Sequence, residues 1–341
     1  MKIDEKNKRK HDIILKAVDD YIHTAQPITS GGLNAYFTDI SSATLRNELN
    51  ALESMGYFRQ LHTSGGRVPT DLAYREYVNA ILENDKLNYK SIKKVLNSYE
   101  DRSISLISTL STLAKRLSRA TNYPAVLVQH GLKNLTIVNI QIIPLIKKDA
   151  LLLIETNAGI IDDNIALDPN IDRDACVEAS DYLTKHFKDK TIGYMVDNIN
   201  DVCLKAGAQM IQFKSLIDSV ADALIAVIKT KCDVSNENPT KMLDGISKSE
   251  FDDAKNVFEF LEDADNVIDV VKTDTNDLNF TIGGEESKLK GGMMMSAPIV
   301  VNGVPIASLA LVGPKRIDYA NVAAALKFIV SQIDHQKGGN D

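Results

Sequence analysis

The apolar positions of the first 55 residues have the spacing of three consecutive helices. Between residues 8 and 25, apolar side chains recur every three or four positions, which predicts an amphipathic helix that ends before Pro27. A second, shorter helix is expected from Thr29 or Ser30 to about Phe37. A third is expected from Ser41 or Ser42 to Met55, since a serine hydroxyl can accept a hydrogen bond from a backbone N–H at a helix start.

A strand-like run over residues 57–61 follows the third helix. The next residues, 62–67, include Gly65 and Gly66 and predict a loop, from which residues 68–70 return. Helices followed by a β-hairpin are the layout of a winged helix-turn-helix.

The spacing changes again after the hairpin. Residues 74–82 predict another amphipathic helix, and from Ile92 to Leu117 apolar residues recur at alternating steps of four and three, interrupted by Ser103. This is the heptad spacing of a coiled coil, but a helix that packs on its own domain has a similar pattern, so both interpretations stay open. The dimerisation candidates in this segment are Leu106, Leu110, Leu113 and Leu117.

Strand patterns lie on both sides of a long helical block. Residues 171–235 have helical spacing and little strand signal, a single helix is expected over Phe251–Val271, and a last helix over residues 319–333. Asn302-Gly303 has the composition of a hairpin turn. The strands are expected at 125–129, 136–143, 150–155, 280–282, 293–301 and 305–312.

This order predicts an α+β fold in which one domain is interrupted by an insert. The expected divisions are a winged-helix domain at 1–88, a helical linker at 89–120, the first part of an α+β domain at 121–168, a mainly helical insert at 169–236, and the second part of the α+β domain at 237–336.

Composition and cysteine usage narrow the class of protein. The chain has 341 residues, of which 44% are hydrophobic and 25% charged, and no apolar run approaches the roughly 20 residues of a membrane-spanning helix. The charged N-terminus lacks the apolar stretch of a signal peptide, so we expect a cytoplasmic protein. Cys176, Cys203 and Cys232 are widely spaced, which predicts neither a disulfide framework nor a metal site.

The charge of the chain is unevenly distributed. The net charge is −7, yet residues 1–75 contain ten Lys and Arg against nine Asp and Glu, a balance of +1. Four cations cluster between Lys6 and Lys10, and Arg46, Arg59 and Arg67 fall within a short stretch. Because patches of charge matter more than net charge for phosphate contact, the N-terminal domain is the part expected to meet nucleic acid.

The third helix has the side chains that DNA reading requires. With Leu45 at its core centre, Arg46, Asn47 and Asn50 project outward, and such side chains pair with guanine and adenine edges in the major groove. In the hairpin, we expect the two glycines to allow close approach to DNA and Arg67 to lie at the wing tip, reaching the minor groove or phosphate. The candidate DNA-binding residues are Ser42, Ala43, Thr44, Arg46, Asn47, Asn50, His62, Thr63, Ser64 and Arg67.

Several motifs together resemble the heat-inducible transcription repressor HrcA family. Residues 41–49 (SSATLRNEL), 52–57 (LESMGY) and 62–70 (HTSGGRVPT) match its winged-helix block. Gly284-Glu285-Glu286 and residues 312–319 (VGPKRIDY) match its C-terminal signatures. The similarity spans nearly the whole chain and is weakest over residues 171–235.

The resemblance implies a dimeric repressor of heat-shock chaperone operons that binds an inverted-repeat operator on double-stranded DNA. It also implies a GAF-like domain that hosts an inserted dimerisation domain, and the chaperonin GroEL as the partner that maintains activity. It implies no catalytic residue, metal or cofactor.

Two stretches depart from the family pattern. Val304-Pro305-Ile306 lies in the C-terminal hairpin, and Gly31-Gly32 lies in the second helix, in which we expect Leu33 and Tyr36 to face inward. Each glycine within a helix costs about 1 kcal/mol relative to alanine, so the second helix is expected to be weak.

Three other functions are weighed against this one. A small-molecule-responsive winged-helix transcription regulator would show a pocket with convergent polar groups, whereas the strands are mostly aliphatic. An enzyme is disfavoured, because the chain has no HExxH pair and no glycine-rich phosphate loop after a strand. A purely structural oligomerisation protein would leave Arg46 and Arg67 without a role.

Overall fold

The chain folds into an N-terminal helical unit with a small hairpin, followed by two separate antiparallel sheets. The computed structural model describes residues 2–60, 66–83, 105–146, 149–205, 214–229, 231–235, 246, 250–271, 277–284 and 286–335. No helix in these ranges is long and apolar enough to cross a membrane.

The N-terminal unit is the predicted winged helix. Its elements are α1 (Lys2–Thr24), α2 (Ser30–Leu33), α3 (Ser42–Ser54), β1 (Phe58–Gln60), β2 (Arg67–Pro69) and α4 (Asp71–Glu83). Leu33, Leu45, Leu49 and Phe58 are buried with the apolar face of α1, so the predicted helical faces meet in one core. α2 is shorter than expected, and α1 begins earlier.

A five-stranded antiparallel sheet forms the centre of the C-terminal part. Its order is β7 (Lys231–Ser235), β3 (Ala125–Gln129), β10 (Val304–Pro314), β9 (Gly292–Val301) and β8 (Asn279–Ile282). Because side chains alternate along a strand, Leu127 packs toward one face, against α5 (Leu106–Thr121) and α11 (Tyr319–His335). Val126 and Val128 pack toward the other face, against α9 (Phe251–Glu262) and α10 (Ala264–Val270).

The second sheet has three strands, β4 (Ile137–Pro144), β5 (Asp149–Thr156) and β6 (Gly159–Ala166). It packs with three helices, α6 (Arg173–Phe187), α7 (Ile192–Lys205) and α8 (Lys214–Ile228). The α6 hydroxyls of Ser180 and Thr184 accept hydrogen bonds from the backbone N–H groups of Ile142 and Ile140, at 2.9 and 3.0 Å. Side chains of α6 therefore satisfy N–H groups at the outer edge of β4, which pairs with no strand among the described residues.

This second sheet corrects the expected domain boundaries. Within 121–168, β3 alone joins the five-stranded sheet, whereas β4–β6 join the helices of the insert. β7, expected within the helical insert, pairs instead with β3. The insert thus spans about 137–228 rather than 169–236, because a strand pattern does not specify which sheet the strand enters.

The segment with heptad-like spacing, residues 92–117, had two interpretations, and the structure describes its second half. Leu110, Leu113 and Leu117 are 1%, 7% and 0% exposed within a single chain, where α5 packs on α11 and on the sheet. Leu106 is half-buried on the same helix. The packing observed for these leucines is therefore that of the intramolecular alternative. The earlier part of the heptad, residues 92–103, lies outside the described residues.

The predicted hairpin turn is present, whereas the predicted helix over Phe251–Val271 is divided in two. Asn302 and Gly303 have φ angles of +51° and +79°, as the predicted two-residue hairpin turn requires. The single helix expected over Phe251–Val271 is divided at Asp263, whose carboxylate accepts hydrogen bonds from the N–H groups of Asp265 and Asn266. Aspartate is a favoured N-cap, and this signal was missed in the sequence.

Candidate nucleic-acid interface

Helix α3 presents the expected polar face. The Ser41 hydroxyl accepts a hydrogen bond from the Thr44 N–H at 3.1 Å and caps the helix, so the phase of its side chains is set from its first turn. Leu45, Leu49 and Leu52 are buried. On the opposite face, Thr44 is half-buried and the exposed residues are Ser42, Ala43, Arg46, Asn47 and Asn50.

Arg67 lies elsewhere than expected. It is the first residue of β2, where it pairs with Gln60, and its side chain is only 10% exposed. Its Nε donates to Glu53 Oε2 at 2.8 Å, and its Nη2 donates to Asn50 Oδ1 at 2.5 Å. The expected position at the wing tip is therefore wrong, because strand pairing holds Arg67 at the base of the hairpin and its guanidinium lies against α3.

Gly66 lies close to the connection between α1 and α2. A Cβ there would lie 2.6 Å from Pro27 Cβ and 3.0 Å from the Ile28 carbonyl oxygen. Next to it, Ile28 and Arg67 exchange two backbone hydrogen bonds of 2.8 and 2.9 Å. The glycine therefore allows β2 to pair with the α1–α2 connection. We had expected it to allow close approach to DNA. Gly65, His62, Thr63 and Ser64 lie outside the described residues.

The short second helix shows a further difference. The Thr29 side chain accepts a hydrogen bond from the Gly32 N–H at 3.1 Å, and the helix ends at Leu33. Tyr36, expected to face inward, is 50% exposed and donates its hydroxyl hydrogen to Asp20 Oδ1 at 3.0 Å. This hydrogen bond to Asp20 raises the pKa of the Tyr36 hydroxyl. Since α2 ends one turn early, the inward phase that a longer helix would give Tyr36 is lost.

The cationic cluster at the N-terminus lies along α1. Lys8 and Arg9 are exposed, and Lys10 Nζ lies 3.7 Å from the Met55 sulfur, just after α3. The basic turn of α1 therefore approaches the C-terminal end of the helix that carries the polar face. Backbone phosphates that flank a bound duplex are the natural partners for such cations.

A second group of charged residues joins the winged helix to the C-terminal part, and the sequence had assigned it no role. Arg316 donates to both carboxylate oxygens of Glu250, at 2.7 and 3.1 Å, and to the carbonyl oxygen of Ile22 in α1 at 3.1 Å. Lys315 forms an ion pair with Asp71 at the start of α4, at 2.5 Å. Residues 312–319, which resemble a signature of the family, thus form part of a junction between the winged helix and the C-terminal part.

A cleft of about 540 Å³ lies at this junction. Burial raises the pKa of Asp253 in its wall; Lys315 lowers this pKa, and the neighbouring Glu250 carboxylate raises it. The cleft has the convergent polar groups that a metabolite-responsive regulator would need. Within the protein, Lys315 is paired with Asp71 and Arg316 with Glu250.

Comparison with known proteins identifies relatives along the chain. The HrcA protein C terminal domain family matches residues 108–323. The heat-inducible transcription repressor HrcA of Ruminiclostridium cellulolyticum is 28% identical over 337 residues, which are 96% of each chain. That of Acetivibrio thermocellus is 27% identical over 344 residues, covering 98% of this chain and 96% of the relative.

A solved structure is similar over nearly the whole chain. It is the crystal structure of a hypothetical protein, with a TM-score of 0.65 and 21% sequence identity, and the match covers 95% of this chain and 96% of that one. This similarity supports the fold.

Proposed function

Because the chain belongs to the HrcA family and is a heat-shock transcription repressor, we propose that it binds an inverted-repeat DNA operator as a homodimer in the cytoplasm, with α3 in the major groove. The family is one of transcription repressors and not of enzymes. The observation that carries the proposal is the exposed polar face of α3, opposite a fully buried leucine face.

The first test concerns base reading by Arg46. Arg46→Ala should cost about 1–3 kcal/mol of binding free energy on the preferred duplex and relax specificity at one base pair. The measurement is a mobility-shift titration on duplexes selected by the wild-type protein, compared with random DNA. Lys255→Ala is the control, since it removes a cation that is 66% exposed on α9, outside the winged helix. Equal affinity of Arg46→Ala and wild type for both DNAs would contradict the assignment.

The homodimer is proposed because a single winged helix reads too few bases, and two half-sites must lie about 34 Å apart or at a multiple of this distance. With Leu110 buried in its own domain, the insert is the candidate contact, since Val177 and Ile225 are exposed apolar residues there. A variant with Val177→Asp and Ile225→Asp should sediment as a monomer at micromolar concentration. Leu110→Asp should instead unfold the chain. A monomeric wild type would contradict the dimer.

We also propose that the chaperonin GroEL maintains the active fraction of the protein. One feature favours slow folding and another favours low stability. The side chains of His130 and Ser308 are hydrogen-bonded although 178 residues separate them, and Gly31-Gly32 weakens α2. Partly folded chains of this kind expose apolar strands and are natural chaperonin clients. Heat would unfold the repressor and also occupy the chaperonin with other clients, which releases the chaperone genes.

Titration of DNA-competent protein tests this coupling. After mild heating, operator binding should be lost, and chaperonin with ATP should raise the active fraction. The control is chaperonin without ATP. If the protein is fully competent without chaperonin, and the addition changes nothing after heating, the coupling is absent and regulation by a small molecule becomes the better explanation.

A further inference from the structure

The contact between Arg67 and Asn50 joins the hairpin to the exposed face of α3. Arg67 Nη2 donates to Asn50 Oδ1 at 2.5 Å, while Arg67 Nε donates to Glu53 Oε2 at 2.8 Å. Asn50 and Glu53 lie one turn apart on α3, so a single guanidinium spans both. Because arginine has donors and no acceptor, the amide atom that faces it is the oxygen, and the orientation of the Asn50 side chain follows from chemistry.

This orientation changes what Asn50 can offer to a ligand. An unconstrained asparagine presents an acceptor and a donor, the pair that matches N6 and N7 of adenine. Here the hydrogen bond from Arg67 takes one of the two lone pairs of Oδ1 and turns this oxygen toward the hairpin, so the Nδ2 amide group is directed away from Arg67 on an exposed residue. Asn50 therefore presents chiefly its donor group.

Guanine is the base whose edge fits a donor. Its major-groove edge carries two adjacent acceptors, O6 and N7, whereas adenine places the N6 donor beside N7. An amide NH₂ group directed at adenine N6 meets another donor, so guanine is favoured at this position.

The charge of Arg67 is meanwhile unsuited to holding phosphate. Its side chain is 10% exposed and pairs with the Glu53 carboxylate, which is 29% exposed. The ion pair has no net charge. The backbone of Arg67 is held in β2 by its two hydrogen bonds to Ile28. The guanidinium therefore acts within the protein, on the side chain beside it.

We propose that Arg67 is a positioning residue for specificity, which holds the Asn50 oxygen so that Asn50 reads guanine in preference to adenine. This inference rests on the proposed function, in which α3 lies in the major groove. Arg67 acts through Asn50 and does not itself contact the bases.

The test compares base preference in three full-length proteins. Duplexes are selected from a random double-stranded library by the wild type, and each guanine in the selected site is then replaced by adenine in turn. The variant Arg67→Met with Glu53→Gln removes the ion pair without changing net charge. The control Arg59→Met removes an exposed arginine from the neighbouring strand β1, which lies in the same hairpin.

We expect one position at which the wild type and the control prefer guanine and the double variant prefers adenine, with the affinity ratio changed at least about fivefold. Adding Asn50→Ala should abolish the preference at that same position in both backgrounds. Thermal unfolding of each variant is measured in parallel, because a merely structural role of Arg67 would lower the melting temperature and leave the ratio of the two bases unchanged.

An unchanged preference at every position, in a folded double variant that still binds the selected duplex, overturns the inference. Loss of folding in that variant is addressed by Arg67→Lys, which keeps the charge but has one ammonium nitrogen in place of the planar fork whose Nε and Nη2 bind Glu53 and Asn50, and should shift the preference in the same direction. If the wild type enriches no sequence at all, the proposed function fails, and that outcome is distinct from failure of the Arg67 inference.

Discussion

The ion pair between Arg316 and Glu250, which lies beside the junction with the winged helix, should be among the most costly polar contacts to break. The two side chains are 13% and 12% exposed, and Arg316 also donates to the Ile22 carbonyl oxygen in α1. Removing one member of such a buried pair leaves an uncompensated charge, which costs about 3–5 kcal/mol of unfolding free energy. We therefore expect Arg316→Met to destabilise the protein by about this amount.

An exposed ion pair supplies the matched comparison. Lys288 and Asp269 are bridged at 2.6 Å, but their side chains are 49% and 62% exposed. Solvent screens this pair, so Lys288→Met should cost about 0–1 kcal/mol. Lys288 makes a single contact with Asp269, whereas Arg316 makes two with Glu250 and one with Ile22, so burial and the number of hydrogen bonds together predict the difference in effect.

Urea unfolding followed by tyrosine fluorescence measures both variants. The chain has no tryptophan and eleven tyrosines, and Tyr21 and Tyr74 line the cleft beside Arg316. The shift in midpoint at constant slope gives the change in unfolding free energy. Replacing both partners, with Arg316→Met and Glu250→Met, should recover much of the loss, because no buried charge is left alone. If Arg316→Met costs no more than Lys288→Met, the junction is not held by this pair and the reasoning is refuted.

Three further variants are expected to change stability. Gly66→Ala should cost about 1–3 kcal/mol in urea unfolding, because its Cβ would lie 2.6 Å from Pro27 Cβ; wild-type stability would contradict this. Gly31→Ala should instead add about 0.5–1 kcal/mol in the same assay, since nothing lies within 4 Å of a Cβ there; a loss would contradict it. Burial opposes the charge of Asp19, but hydrogen bonds, first from Lys16, outweigh it and lower the pKa of the carboxyl. The Asp19 carboxylate therefore stabilises the folded protein above pH ~4, and this stabilisation is lost as the pH falls further. Asp19→Asn should accordingly reduce the fall in melting temperature on the acid side of a pH profile.

The sequence by itself determined the buried and exposed faces of α3 and the turn between β9 and β10. Helical spacing and the Ser41 cap set which residues of α3 are buried, because a helix with a known start has a known phase. The hairpin between β9 and β10 was likewise predicted from Asn302-Gly303, whose positive φ angles suit that turn. These signals lie within a few residues of the structure that they specify.

The tertiary structure alone decided which faces and side chains meet. A strand pattern predicted β4–β6 without indicating that they form their own sheet, and the heptad spacing of Leu110 and Leu117 fitted a partner helix as well as the chain's own core. Arg67 contacts Asn50 across 17 residues and a change of element, so no local signal identifies its partner. Periodicity specifies the side of an element that seeks burial, whereas the partner that covers it depends on long-range packing of the whole chain.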